Sequence, residues 1–133
     1  MVSKSTALRP ANWRNSNNGE GPAPTAKQIK EWRATLAVDF DGVIHAYSLG
    51  WQDGSCYDKP LEGAVPALKM LKQAGYRIVV FTSRNNLEAV EEWLVAWDVP
   101  FDEVTNHKVP ALAYIDDRAV RFTNWADLSR LFA

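Results

Sequence analysis

The chain has 133 residues, one domain's worth of sequence, and its 15 Lys and Arg against 16 Asp and Glu leave a formal net charge of −1. That balance excludes a protein built mainly to coat nucleic acid or an anionic membrane, and a hydrophobic fraction of 47% excludes a wholly disordered chain. No apolar run is long enough for a transmembrane helix, Met1 to Pro10 lacks the apolar centre of a signal peptide, and Cys56 stands alone, without a partner for an intrachain disulfide or a cysteine zinc site. The expected setting is a reducing cytoplasm.

Residues 1–24 are rich in Asn, Gly and Pro and nearly free of aliphatic side chains, which predicts a flexible N-terminal tail. Lys4, Arg9, Arg14 and Trp13 leave open a docking role for it, although nothing in the sequence indicates a partner protein. Residues 25–133 are the expected folded domain.

Thr25 and Gln28 have capping-box spacing and predict a short helix through Trp32. Thr35 to Phe40 (TLAVDF) reads as a buried strand that ends in acids. A Gly- and aromatic-rich loop follows. Val65, Leu68 and Leu71 recur at helical spacing within 62–74, with Gly75 as the stop. Tyr76 to Phe81 predicts a second strand. Asn86 to Trp97 predicts a second amphipathic helix, with Leu87, Val90, Leu94 and Trp97 on one stripe. Phe101 to Val104, Ala111 to Ile115 and Val120 to Phe122 predict three further strands. Asn124 is placed to cap a last helix carrying Trp125, Leu128 and Leu131. Strands alternating with helices predict an α/β fold: a three-layer sandwich around a mostly parallel, Rossmann-like sheet.

Such sheets place their sites at the carboxyl ends of the strands. There the sequence puts Asp39 and Asp41 with Gly42, then Thr82, Ser83 and Arg84, then Asp116 and Asp117, with Lys108 just before the fourth strand. Clustered carboxylates repel, so a positive charge belongs among them. A hard divalent cation with oxygen ligands, Mg²⁺ above all, fits. One carboxylate is then available as a nucleophile on phosphorus and a second, two residues on, as acid and base. The hydroxyls, the lysine and backbone amides near Gly42 are suited to hold phosphoryl oxygens.

With these residues the chain resembles the haloacid dehalogenase-like superfamily of phosphohydrolases. LAVDFDGVI is similar to its first motif, RIVVFTSR to its second, Lys108 in NHKVPA to its third and LAYIDDR to its fourth, in family order from Leu36 to about Asn124. Response regulators also combine acids, a hydroxyl and a lysine. There the lysine comes after the last strand, whereas Lys108 precedes Asp116 and Asp117.

The resemblance implies a Mg²⁺-dependent phosphatase acting through an aspartyl-phosphate. Asp39 would be nucleophile and metal ligand. Asp41 would be the acid/base and lend its backbone carbonyl to the metal. Thr82, Ser83, Gly42 and Lys108 would bind the phosphoryl group. Asp116 would bind the metal and Asp117 would support it. Neither 43–62 nor 84–108 has room for the family's cap domain, so a small capless member with a flap at Ala46 to Lys59 is expected. An open site of that kind suits a nucleotide or a nucleic-acid end phosphate. A binding module on the same fold, or phosphoryl transfer instead of hydrolysis, are the alternatives.

Several neighbours keep two readings. Arg84 reads first as solvent-facing and second as a substrate contact. His45 and His107 suit local hydrogen bonds or proton transfer. Tyr47, Trp51 and Tyr57 either pack the flap or stack a nucleobase. Trp93, Trp97 and Trp125 are expected in the core.

Overall fold

The computed structural model describes residues 22–133. Most of the expected tail, residues 1–21, lies outside the described residues. In chain order the elements are α1 (Ala26–Arg33), β1 (Thr35–Asp39), α2 (Ala64–Gln73), β2 (Arg77–Phe81), α3 (Leu87–Ala96), β3 (Glu103–Thr105), β4 (Ala113–Ile115) and α4 (Trp125–Phe132). The fold is α/β, with a four-stranded parallel sheet in the order β3-β2-β1-β4. Among the described residues no helix is long and apolar enough to cross a membrane.

Local chemistry starts and stops the helices where the sequence implied. Thr25 Oγ1 accepts from the Gln28 N–H and Gln28 Oε1 accepts from the Thr25 N–H, closing the capping box of α1. Asn86 and Asn124 cap α3 and α4 by accepting from Ala89 N–H and Asp127 N–H. Gly75 takes a left-handed φ of +99° after α2.

Leu36, Val38, Phe40, Ile78 and Val80 share one core with Val90, Trp93 and Leu94 of α3 and Leu68 of α2. Ala37 and Val79 alternate to the opposite face and are also fully buried. Both faces of the two central strands are therefore covered, as expected for parallel pairing.

Three expectations change. β3 begins at Glu103 rather than Phe101; at Asp102 the backbone N–H donates to Ile78 O while the carboxylate, not a backbone carbonyl, accepts from the Ile78 N–H. Val120 to Phe122 forms no strand. Only a few residues separate the Asp116–Asp117 turn from the Asn124 cap, and Phe122 packs against Trp125 instead. Trp97 and Trp125 are exposed, at 46% and 73%. α4 buries none of its residues, so its apolar stripe exists without a core to enter.

Leu94 is fully buried among these core side chains. Leu94→Ala is expected to destabilise the fold by about 2–5 kcal/mol, read as a lower midpoint in urea unfolding.

Candidate functional site

The chain builds β1, β2 and β3 in sequence outward from β1, then places β4 on the other side of β1. The strand order reverses between β1 and β4, and crevices at such switch points are where open α/β sheets bind ligands. Asp39 ends β1, and Asp116 and Asp117 follow β4.

These three side chains converge. Each can offer an oxygen such that the three lie within 4.8 Å of one another. Burial, and then the charge of Asp116, push the Asp39 carboxyl up from 3.8 to about 7. The Phe40 N–H donates to Asp39 Oδ1 at 3.0 Å and works against that rise, while Asp117 adds to it. Asp116 Oδ1 also accepts from the Arg118 N–H at 2.8 Å. The donor set fits Mg²⁺, a hard cation that takes carboxylate oxygens and neutralises their repulsion. Asp117, expected only as support, belongs to the same trio as Asp39 and Asp116.

After β1 the chain curls tightly. Phe40 O accepts from the N–H groups of Ile44 and His45, both at 2.9 Å, and Gly42 takes a φ of +84°. A Cβ at position 42 would collide with the Asp117 carboxylate. The expectation that Gly42 offers its amide to phosphate is corrected here: its N–H donates to His45 O at 2.8 Å. The residue matters for the side chain it lacks.

Asp41 is not part of the acid trio. Arg84 grips it in a fork, with Nε to Oδ2 at 2.8 Å and Nη2 to Oδ1 at 3.0 Å. His45 Nδ1 lies 2.8 Å from the same Oδ1. The Asp58 N–H donates to His45 Nε2 at 3.0 Å, so Nε2 carries no proton. In the neutral ring the proton therefore sits on Nδ1, which donates to Asp41. His45 is wholly buried, stacked on Phe40 with centroids 5.0 Å apart.

Arg84 corrects the reading of a solvent-facing arginine. Its side chain is 5% exposed, and its Nη1 donates to Gly54 O at 2.8 Å. The guanidinium also lies 5.2 to 5.9 Å from the ring centres of Trp51, Phe40 and Tyr47. Sequence reasoning missed it because its partner Asp41 is remote in the chain and no local spacing links them. The one available signal was the position of Arg84 at a strand end, opposite an acid that needs a cation.

The flap, residues 46–59, is clasped at its ends by Ala46 N–H to Lys59 O at 2.9 Å. The Trp93 indole N–H donates to Asp58 O at 2.8 Å and ties the flap to α3. Cys56 packs against the core, and burial pushes its thiol up.

Thr82 is buried and its Oγ1 accepts from the Arg84 N–H at 3.1 Å, while Ser83 beside it is exposed. Lys108 Nζ sits 5.5 Å from the ring centre of Tyr114 in β4. His107 is exposed, and its backbone N–H donates to Thr105 Oγ1.

Set against family models, curated proteins and solved structures, the chain finds no match in any of the three.

Two outcomes follow from this geometry. Arg84→Ala leaves Asp41 and Gly54 O without their cation and is expected to cost about 3–5 kcal/mol of stability, measured by denaturant unfolding. Asp39 holds its proton to about 7 when folded but only to 3.8 when unfolded. Its favourable contribution is therefore complete below 3.8 and is lost as pH rises through 7. In metal-free buffer the melting temperature of the wild type is expected to fall between pH 5 and 8 relative to Asp39→Asn. Mg²⁺ at pH 8 is expected to reverse that difference.

Proposed function

We propose that the chain is a Mg²⁺-dependent phosphohydrolase of the haloacid dehalogenase-like type, with Asp39 as nucleophile. The observation that carries this reading is the convergence of Asp39, Asp116 and Asp117 at the switch point of a parallel sheet. The ordered motifs DFDG, FTSR, Lys108 and IDDR add to it.

Asp39, Asp116 and Asp117 would hold the metal. When bound, the cation supplies charge neutralisation for the acids and for the phosphoryl oxygens. Asp39 forms an oxygen–phosphorus bond as the bond from phosphorus to the leaving oxygen breaks. The leaving oxygen takes a proton from Asp41. In the second half Asp41 takes a proton from water, the water oxygen bonds phosphorus, and the Asp39–phosphorus bond breaks to release phosphate.

Asp41 has room for one such proton. A carboxylate offers about four lone-pair sites. Arg84 Nη2 and His45 Nδ1 occupy both on Oδ1, and Arg84 Nε takes one on Oδ2. The remaining Oδ2 site is the one through which the acid/base exchange runs. Thr82, Ser83 and Lys108 fill the phosphoryl-binding roles in this reading. The flap (46–59) and the α3–β3 stretch occupy the two places where a cap would be inserted. A nucleotide or nucleic-acid end phosphate is the favoured substrate class.

The test is phosphate release from p-nitrophenyl phosphate. Turnover is expected with Mg²⁺ and is expected to vanish with a chelator. Asp41→Asn is expected to lose about 10²–10⁴-fold in kcat, and Asp39→Asn to fall to background. Wild-type rates retained by Asp39→Asn would sink the mechanism.

A further inference from the structure

The aromatic side chains of the flap divide into two kinds. Tyr47 and Tyr57 face inward, with ring centres 5.8 and 5.4 Å from that of His45. Tyr57 Oη donates to Gly50 O and accepts from the Leu49 N–H, so its polar end is committed to the flap itself. Trp51 is different. It is 62% exposed, with the Arg84 guanidinium 5.2 Å from its ring centre. Its benzo edge lies 3.5 Å from where a Cβ on Gly54 would stand.

Beside this ring opens a cavity of about 300 Å³, lined by Trp51, Asp53, Gly54, Arg84, Asn85 and Asn86. That volume is at the small end of the range for small-molecule sites. Asn85 is exposed and carries an amide donor and acceptor side by side. Asn86 Oδ1 is committed to capping α3, but its NH₂ carries two donors. Arg84 is the wall shared with the chemistry, because the guanidinium that lines the cavity also grips Asp41.

We propose that this cavity binds the nucleobase of a nucleoside phosphate whose phosphoryl group is at Asp39; the inference rests on the hydrolase reading above. An indole at the wall supplies a flat apolar surface for a planar ring of any base. The two amides supply the paired donors and acceptors that a base edge presents. The Asp53 carboxylate that lines the cavity disfavours a phosphate there, so the planar end of the ligand is the part that fits. A sugar phosphate has no π-face to stack on Trp51.

The test reads binding without turnover. Asp39→Asn protein with Mg²⁺ is titrated calorimetrically with ribose 5-phosphate and with the 3′- and 5′-monophosphates of the common nucleosides. At least one nucleoside monophosphate is expected to bind about 10- to 100-fold more tightly than ribose 5-phosphate. Adding Trp51→Ala is expected to abolish that advantage while leaving the affinity for ribose 5-phosphate within twofold. Asn85→Ala in the same background is expected to reduce the advantage in part and to change the ranking of the bases. Equal affinities for nucleotide and sugar phosphate, or an equal loss for both on Trp51→Ala, would overturn the assignment. Absence of phosphate release by the wild type counts against the hydrolase reading alone, because the affinities are measured independently of it.

Discussion

The arrangement at the sheet edge turns on one ion pair, Arg84 with Asp41. A guanidinium this deeply buried carries a large desolvation penalty unless its charge is met and its donors are used. Here Asp41 meets the charge with two hydrogen bonds, and Gly54 O takes a third. The same guanidinium lies against Phe40, Tyr47 and Trp51. One side chain thereby fixes the acid after β1, the turn leading into α3 and the middle of the flap. His45 completes the hold, with its tautomer set by the Asp58 N–H on one side and its proton directed to Asp41 on the other.

The acids at this edge thus fall into two groups with opposite electrostatics. Asp41 is satisfied from within the protein. Asp39, Asp116 and Asp117 are held together, and burial with mutual repulsion lifts Asp39 to about 7. Strain of this kind is what a bound cation relieves. The division of labour matches the proposed chemistry, in which one group binds a metal and the other moves a proton.

Much of this was legible in the sequence because it depends on short-range rules. Capping by Thr25 and Asn124, the stop at Gly75 and the two long strands are decided by neighbouring residues. The three acids were found because strand-end position is itself a local property once the strands are known. Arg84, in contrast, is defined by partners far away in the chain, and a run such as FTSR says nothing of which way an arginine turns. The same limit explains Trp97 and Trp125. Helical spacing tells which residues share a stripe, not whether a core faces that stripe. β3 shows a third kind of limit, since at Asp102 a side-chain oxygen takes the Ile78 N–H, a long-range contact that no local pattern displays.

β1 pairs with β2 through Thr35–Arg77 and with β4 through Leu36–Ala113. The second pairing closes a much longer loop than the first, and long loops carry the larger closure entropy. Asp39 ends β1 while Asp116 and Asp117 follow β4, so the crowding of three negative charges bears on the β1–β4 pairing in particular. A divalent cation held by all three acids would tie β4 to β1 at the sheet edge.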